Sequence, residues 1–112
     1  MAHRTAPPHP GHVLRGRVLP GLGLSIIHAA RLLGISRQTL HTILAGTASV
    51  TPEMAVRLAR LSDTEPAFWL SLQQAHDLWH AEQAMAEVLA RIPTYSLPDA
   101  VRMEIGCYGH AH

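Results

Sequence analysis

The chain has 112 residues, 47% hydrophobic and 4% aromatic, with a formal net charge of +1. This length fits one domain with a modest core, and no apolar run approaches the roughly 18 to 20 residues that a membrane span needs. A single cysteine, Cys107, excludes an internal disulfide and suits a reducing compartment.

The start, MAHRTAPPHPGH, lacks the apolar stretch of a signal peptide, so we expect a cytoplasmic protein. Pro7, Pro8 and Pro10 make residues 1–10 a flexible, extended segment. A first helix is expected from Pro10 or Gly11 to Leu19, burying Val13, Leu14, Val18 and Leu19 and ended by Pro20 and Gly21.

The next segment, SIIHAARLLGISRQTLHTILAG, carries a spacing constraint. It reads as two short helices, Ile26–Leu33 and Arg37–Leu44, joined by a turn of about three to four residues. Ser25 and Ser36 stand where a hydroxyl can accept from an unpaired first-turn N–H. Gly34 closes the first of the two helices in a left-handed conformation that costs no Cβ clash. Ala30 precedes that glycine by four residues, at the crossing of the helices, where only a small side chain fits. Ala29, Leu33, Ile35, Leu40 and Ile43 fall at inward-facing positions. This is the pattern of a helix-turn-helix, which presents its second helix to the DNA major groove.

Thr51 and Pro52 open a fourth helix to Leu61, with Met54, Ala55, Leu58 and Leu61 on its inner face. Thr64 is expected to cap a long fifth helix running from about Glu65 or Pro66 towards Arg91, with Phe68, Leu72, Ala75 and Trp79 as its inner stripe. A second stripe, Leu78, Ala81, Met85, Val88 or Leu89, and Ile92, exceeds what a short bundle can cover. It suits packing against a second copy, because two-fold dimers match two operator half-sites. Pro93 and Pro98 leave residues 93–112 as a tail with at most one short helix. The expected organisation is therefore a flexible segment over 1–10, a DNA-binding domain with a dimerising helix over 11–92, and the tail.

On the second helix of the motif, Leu40, Ile43 and Leu44 point inward, which leaves Arg37, Gln38, Thr39, His41 and Thr42 outside. Gln can bond adenine through N6 and N7, Arg can bond guanine through O6 and N7, and Thr offers a hydroxyl and a methyl. Gln38, Thr39 and His41 are the expected base readers, with Arg37 on a base or a phosphate. Ser36, Thr47 and Ser49 are candidates for phosphate. The charge distribution agrees: residues 1–60 hold seven arginines against Glu53 alone, whereas residues 61–112 hold Arg91 and Arg102 against seven acids. Such asymmetry suits a polyanion and a second partner.

His76 and His80 lie at i and i+4, but no cysteine or closely spaced carboxylate completes a tetrahedral set, so no metal and no cofactor are expected. No nucleophile–base context, phosphate-cradling glycine loop or HExxH pair marks an enzyme.

The segments HPGHVLRGRVLPGLGLS, GISRQTLHTILAG, TPEMAVRLARL and EPAFWLSLQQAHDLWHAEQ, spanning about residues 9 to 83, resemble the HigA antitoxins. The resemblance implies an all-α, five-helix lambda-repressor-like domain, dimeric, that binds its own operator DNA and neutralises a partner toxin. The toxin of such a pair is a small basic ribonuclease that cleaves mRNA. The resemblance favours the N-terminal side for toxin contact, with His9, Pro10, Gly11 and Arg15. Charge complementarity alone offers the acidic surface of Asp63, Glu65, Asp77, Glu82 and Glu87 instead. The chain departs from the family at Thr42, Thr47 and Ala48, where basic residues are common, and at His28, where a carboxylate often stands. Fewer cations near the groove displace fewer counterions, which predicts a log–log salt slope of about −3 to −6 per dimer. A solitary repressor with no toxin partner is the alternative reading.

Overall fold

A computed structural model describes residues 5–108 of the chain. His110 and His112 lie outside them. The architecture is all-helical, and no strand occurs among the described residues. Helix α1 is continuous through three stretches, Pro10–Val13, a π-helical Leu14–Val18, and Leu19–Leu22. Helices α2 (Ile26–Leu33), α3 (Arg37–Leu44) and α4 (Pro52–Ser62) complete the compact part. Helix α5 (Pro66–Ala84) runs out from it, followed by α6 (Ala86–Arg91) and α7 (Asp99–Tyr108).

The caps explain the boundaries of the central pair. Ser25 Oγ accepts from the His28 N–H at 3.1 Å, and Ser36 Oγ accepts from the Thr39 N–H at 3.0 Å. Gly34 is left-handed, with the Ile35 N–H bonded back to the Ala30 carbonyl, so the last carbonyls of α2 are satisfied within a tight turn. Arg57 Nη1 adds a 2.6 Å bond to the Leu33 carbonyl and ties α4 to that turn. Its 3.6 Å pair with Glu53 is exposed and contributes little. Ala29, Ala30, Leu33, Leu40, Ile43 and Leu44 are all buried, with Ile35 packed at the edge of the same core, as the spacing predicts.

The first helix departs from expectation. It does not stop at Pro20 but continues to Leu22, where left-handed Gly23 ends it and the Leu24 N–H reaches the Leu19 carbonyl. A proline within a helix removes one bond and crowds the carbonyl four residues earlier. Here the register upstream widens, so that the Leu19 N–H bonds to the Leu14 carbonyl, and Pro20 falls in the first turn of the following α stretch.

The inner stripe of α5 also differs. Trp69 is fully buried at 0% exposure, and Gln73 is buried at 6%, while Phe68 stands 43% exposed and Ala75 is exposed as well. The stripe that faces the core is Trp69, Leu72, Gln73 and His76. Thr64 is not the cap of this helix: Glu65 holds that position without a side-chain bond. The Thr64 hydroxyl instead accepts from Trp69 Nε1 at 2.9 Å, which satisfies the one polar atom of the largest buried side chain. Gln73 is a strut. Its Oε1 accepts from the Val50 N–H at 2.8 Å, and its Nε2 donates to Asp77 Oδ1 at 2.9 Å. The loop between α3 and α4 is thereby anchored to α5.

Met85 leaves helical geometry (φ −102°, ψ 14°) and divides the long helical stretch towards Arg91 into two helices. All described residues from Ala81 onward are exposed. The tail is not wholly irregular, since α7 takes up ten of its residues.

Candidate nucleic-acid interface

Helix α3 forms because its buried face, Leu40, Ile43 and Leu44, repeats at helical spacing and Ser36 supplies its cap. That face fixes which side chains turn outward. Arg37, Gln38, Thr39 and His41 are exposed, and Ser36 is exposed at the helix start. Arg37, Gln38 and His41 lie on one outer arc of about 100° at the helical repeat. Their side chains make no hydrogen bond or ion pair with any described residue, so their donors are available.

The threonines are more committed. Ser36 Oγ donates to Thr39 Oγ1 at 2.8 Å. The Thr42 hydroxyl donates to the Thr39 carbonyl at 2.7 Å, and the Thr47 hydroxyl donates to the Thr42 carbonyl at 3.0 Å. Thr42 is half-buried, and its hydroxyl proton is already used. Thr47 keeps its lone pairs for accepting, although its proton is used. Ser49 is exposed in the loop after α3.

No aspartate or glutamate precedes Glu53 in the chain. The surface built from α1 to α3 therefore carries Arg15, Arg17, Arg31 and Arg37 unopposed by any carboxylate of those helices. Exposed cations without a nearby acidic residue in sequence favour a polyanionic partner.

The N-terminal residues end up elsewhere than expected. His9, Pro10 and Gly11 are buried, with His9 only 3% exposed, so these three do not form an exposed contact surface. Arg15 does remain exposed. His9 Nδ1 accepts from the Gly11 N–H at 2.9 Å and so caps α1. Gly11 lies against the last turn of α3, so closely that a Cβ there would stand 1.7 Å from the Ile43 carbonyl oxygen. The ring of His9 meets His76 edge-on at 5.0 Å between centroids, and His76 lies 4.4 Å from His80 with the two rings tilted by 52°. Burial, with the nearby His76 and His12, lowers the His9 pKa from its ordinary 6.5, against opposing effects of Asp77 and the Ala48 backbone. Among the described residues, no group of three or more potential ligands is placed to hold a metal ion.

Reasoning from sequence missed the roles of His9, Gln73 and Arg57 in holding α3 and its flanking turns. A polar Gln73 four residues after Trp69, where the helical repeat wants an apolar side chain, was the available signal.

Leu78, Ala81, Met85 and Leu89 share the outer part of α5 and α6, and Leu78 is 53% exposed. The structure leaves these residues uncovered on two helices that meet at the Met85 bend. No helix of the described residues is long and apolar enough to cross a membrane.

A family model described as a helix-turn-helix domain matches residues 11–67. An uncharacterized helix-turn-helix-type transcriptional regulator of Escherichia coli K12, YbaQ, is 41% identical over 90 residues, covering 79% of this chain and 80% of its own length. The structure of the antitoxin GraA in complex with its operator matches with a TM-score of 0.76 at 36% identity, over 87% of this chain and 99% of that one. The Pseudomonas aeruginosa antitoxin HigA, solved with the higBA promoter, matches with a TM-score of 0.76 at 32% identity, over 80% and 99%. With its capped α2–turn–α3 unit and these likenesses across nearly the whole length of the relatives, the chain belongs to the HigA family of helix-turn-helix antitoxins.

Proposed function

We propose that this protein binds the operator of its own operon as a two-fold dimer and neutralises a partner toxin that cleaves mRNA, acting in the cytoplasm. The observation that carries the DNA half is the free outer arc of Arg37, Gln38 and His41 on a helix whose other face is locked into the core. Two structural relatives are solved with an operator or promoter. Gln38, Thr39 and His41 read bases, Arg37 reads a base or grips a phosphate, and Ser36, Thr47 and Ser49 meet the backbone.

The dimer half rests on the uncovered stripe. Leu78 on α5, Met85 at the bend and Leu89 on α6 are 53%, 43% and 46% exposed, with Ala81 exposed among them. A second copy covers this face and sets the spacing of two recognition helices. Toxin contact is assigned to the exposed side of α1 around Arg15, with the buried His9, Pro10 and Gly11 fixing the pose of that helix. The acidic residues Glu82 and Glu87 offer the competing surface for a basic ribonuclease.

Induction of the small reading frame adjacent to this gene, alone and with this chain, tests the proposal. Growth arrest relieved by co-expression, with the two proteins co-purifying, is the expected result. No arrest, or arrest that this chain does not relieve, favours a solitary repressor, the reading to which relatives named only as transcriptional regulators, such as YbaQ, lend support.

A further inference from the structure

We propose that His9, as a neutral imidazole, is a positioning residue for DNA binding: it pins α1 against the C-terminal end of the recognition helix, and its protonation releases that end. The inference rests on the operator-binding reading above.

Three elements meet at this ring. Within α1, His9 Nδ1 accepts from the Gly11 N–H at 2.9 Å, so its proton sits on Nε2. At the end of α3, left-handed Gly46 packs on the same side chain, and a methyl added to Gly46 would lie 3.6 Å from His9 Cγ and 3.3 Å from His12 Nε2. On α5, His76 meets the ring edge-on. Gly11 completes the joint by lying on the Ile43 carbonyl, with no room for a side chain.

A second proton on His9 has no place in this arrangement. It would turn Nδ1 from an acceptor into a donor facing the Gly11 N–H. It would also put a charge into a site from which water is excluded. The ionisable groups around the ring are His12 on α1 and His76, Asp77 and His80 on α5. The loop after α3, AGTASV, brings none. Asp77 favours the charged ring, but its Oδ1 already accepts from Gln73 at 2.9 Å and lies 3.4 Å from His76 Nδ1. Burial and the neighbouring imidazoles prevail, so the His9 pKa is lowered. For a histidine so shifted, the stabilisation is fully present above the ordinary pKa of 6.5 and declines as pH falls below it.

The consequence reaches DNA because the joint holds the last turn of α3 and the loop that carries Thr47 and Ser49. Freed from α1, that end samples more conformations, and ordering it again weighs against binding.

The test compares the wild-type chain with His9→Asn. Asparagine accepts the same capping bond and does not titrate near neutrality. Operator affinity is measured by fluorescence anisotropy at about pH 8 and about pH 5.5. Comparing the two proteins cancels any pH effect that both share. The expected result is that acidification weakens wild-type binding about fivefold more than it weakens His9→Asn, whatever the ratio of the two affinities at the higher pH. Parallel pH profiles would overturn the proposal. A second readout needs no DNA: nitrogen-15 spectra of the wild-type histidines. An Nε2–H tautomer for His9, with Gly11 amide protection falling on acidification only in the wild type, supports the clamp. An Nδ1–H tautomer, or protection that falls equally in both proteins, refutes it. If neither protein binds the operator at the higher pH, the operator reading and the positioning role fail together, and the spectra still judge the cap.

Discussion

The two ends of this chain solve the burial problem in opposite ways. From His9 to Gln73, apolar side chains converge on one core, and three buried polar side chains are paired: His9 with Gly11, Gln73 with Val50, and Trp69 with Thr64. From Ala81 to Tyr108, every residue is exposed, including Met85, Val88, Leu89, Ile92, Val101 and Ile105. The first region closes its core within one chain, although Ile27, Leu32 and Val56 stay exposed on its surface. The second is a set of amphipathic helices whose apolar sides have no cover, and a ten-residue helix such as α7 is too short to be stable in water by itself. Exposed apolar surface of this extent marks a place for a partner. The comparison teaches that the helix-turn-helix unit is closed within one protomer, whereas the apolar side chains of the second region have no cover in it.

The sharpest break in the first region is Trp69→Ala. It removes the largest fully buried side chain and leaves Thr64 without its donor. A loss of about 3–5 kcal/mol in unfolding free energy is expected from urea titration, close to complete unfolding for so small a core. In the second region, Met85→Glu combined with Leu89→Glu leaves the fold intact, because neither side chain is buried in the protomer. The double variant is expected to sediment as a monomer and to bind the operator about a hundredfold more weakly or worse, since one linked half-site is lost. A dimer that survives both charges would move the interface away from these residues. Gln73→Leu is gentler. It keeps the volume but strands the buried Val50 N–H, at a cost of about 1–3 kcal/mol with the helical content retained.

The legibility of the sequence followed the locality of the forces. Helices α2 and α3 were readable to the residue because serine caps, a left-handed glycine and a small residue at the crossing all act within a few positions. The length of α1 was not, since Pro20 and Gly21 look like a stop. Only a shift to π-helical register, which no local pattern announces, lets the helix pass. On α5 two stripes compete, one through Phe68 and Ala75 and one through Trp69 and Gln73. Apolar periodicity favours the first. The second wins because Trp69 and Gln73 find polar partners that are distant in sequence or hidden in a turn. His9 belongs to the same class: its partners include Gly46 and His76, which nothing in the N-terminal segment foretells. Of the nominated DNA residues, Arg37, Gln38, Thr39 and His41 stand outward, whereas Thr42 is half-turned inward with its hydroxyl spent on the Thr39 carbonyl.

The most direct measurement is operator affinity across a salt series for the wild type and for Gln38→Ala, against promoter DNA and a scrambled duplex. The account predicts sequence-specific binding with a log–log slope of about −3 to −6 per dimer. Gln38→Ala should lose about 1–3 kcal/mol on the promoter alone, because a base contact carries discrimination and a phosphate contact does not. Equal loss on both duplexes, or a slope steeper than about −8, would contradict the assignment of α3 as the reading helix and place the main contacts on other arginines.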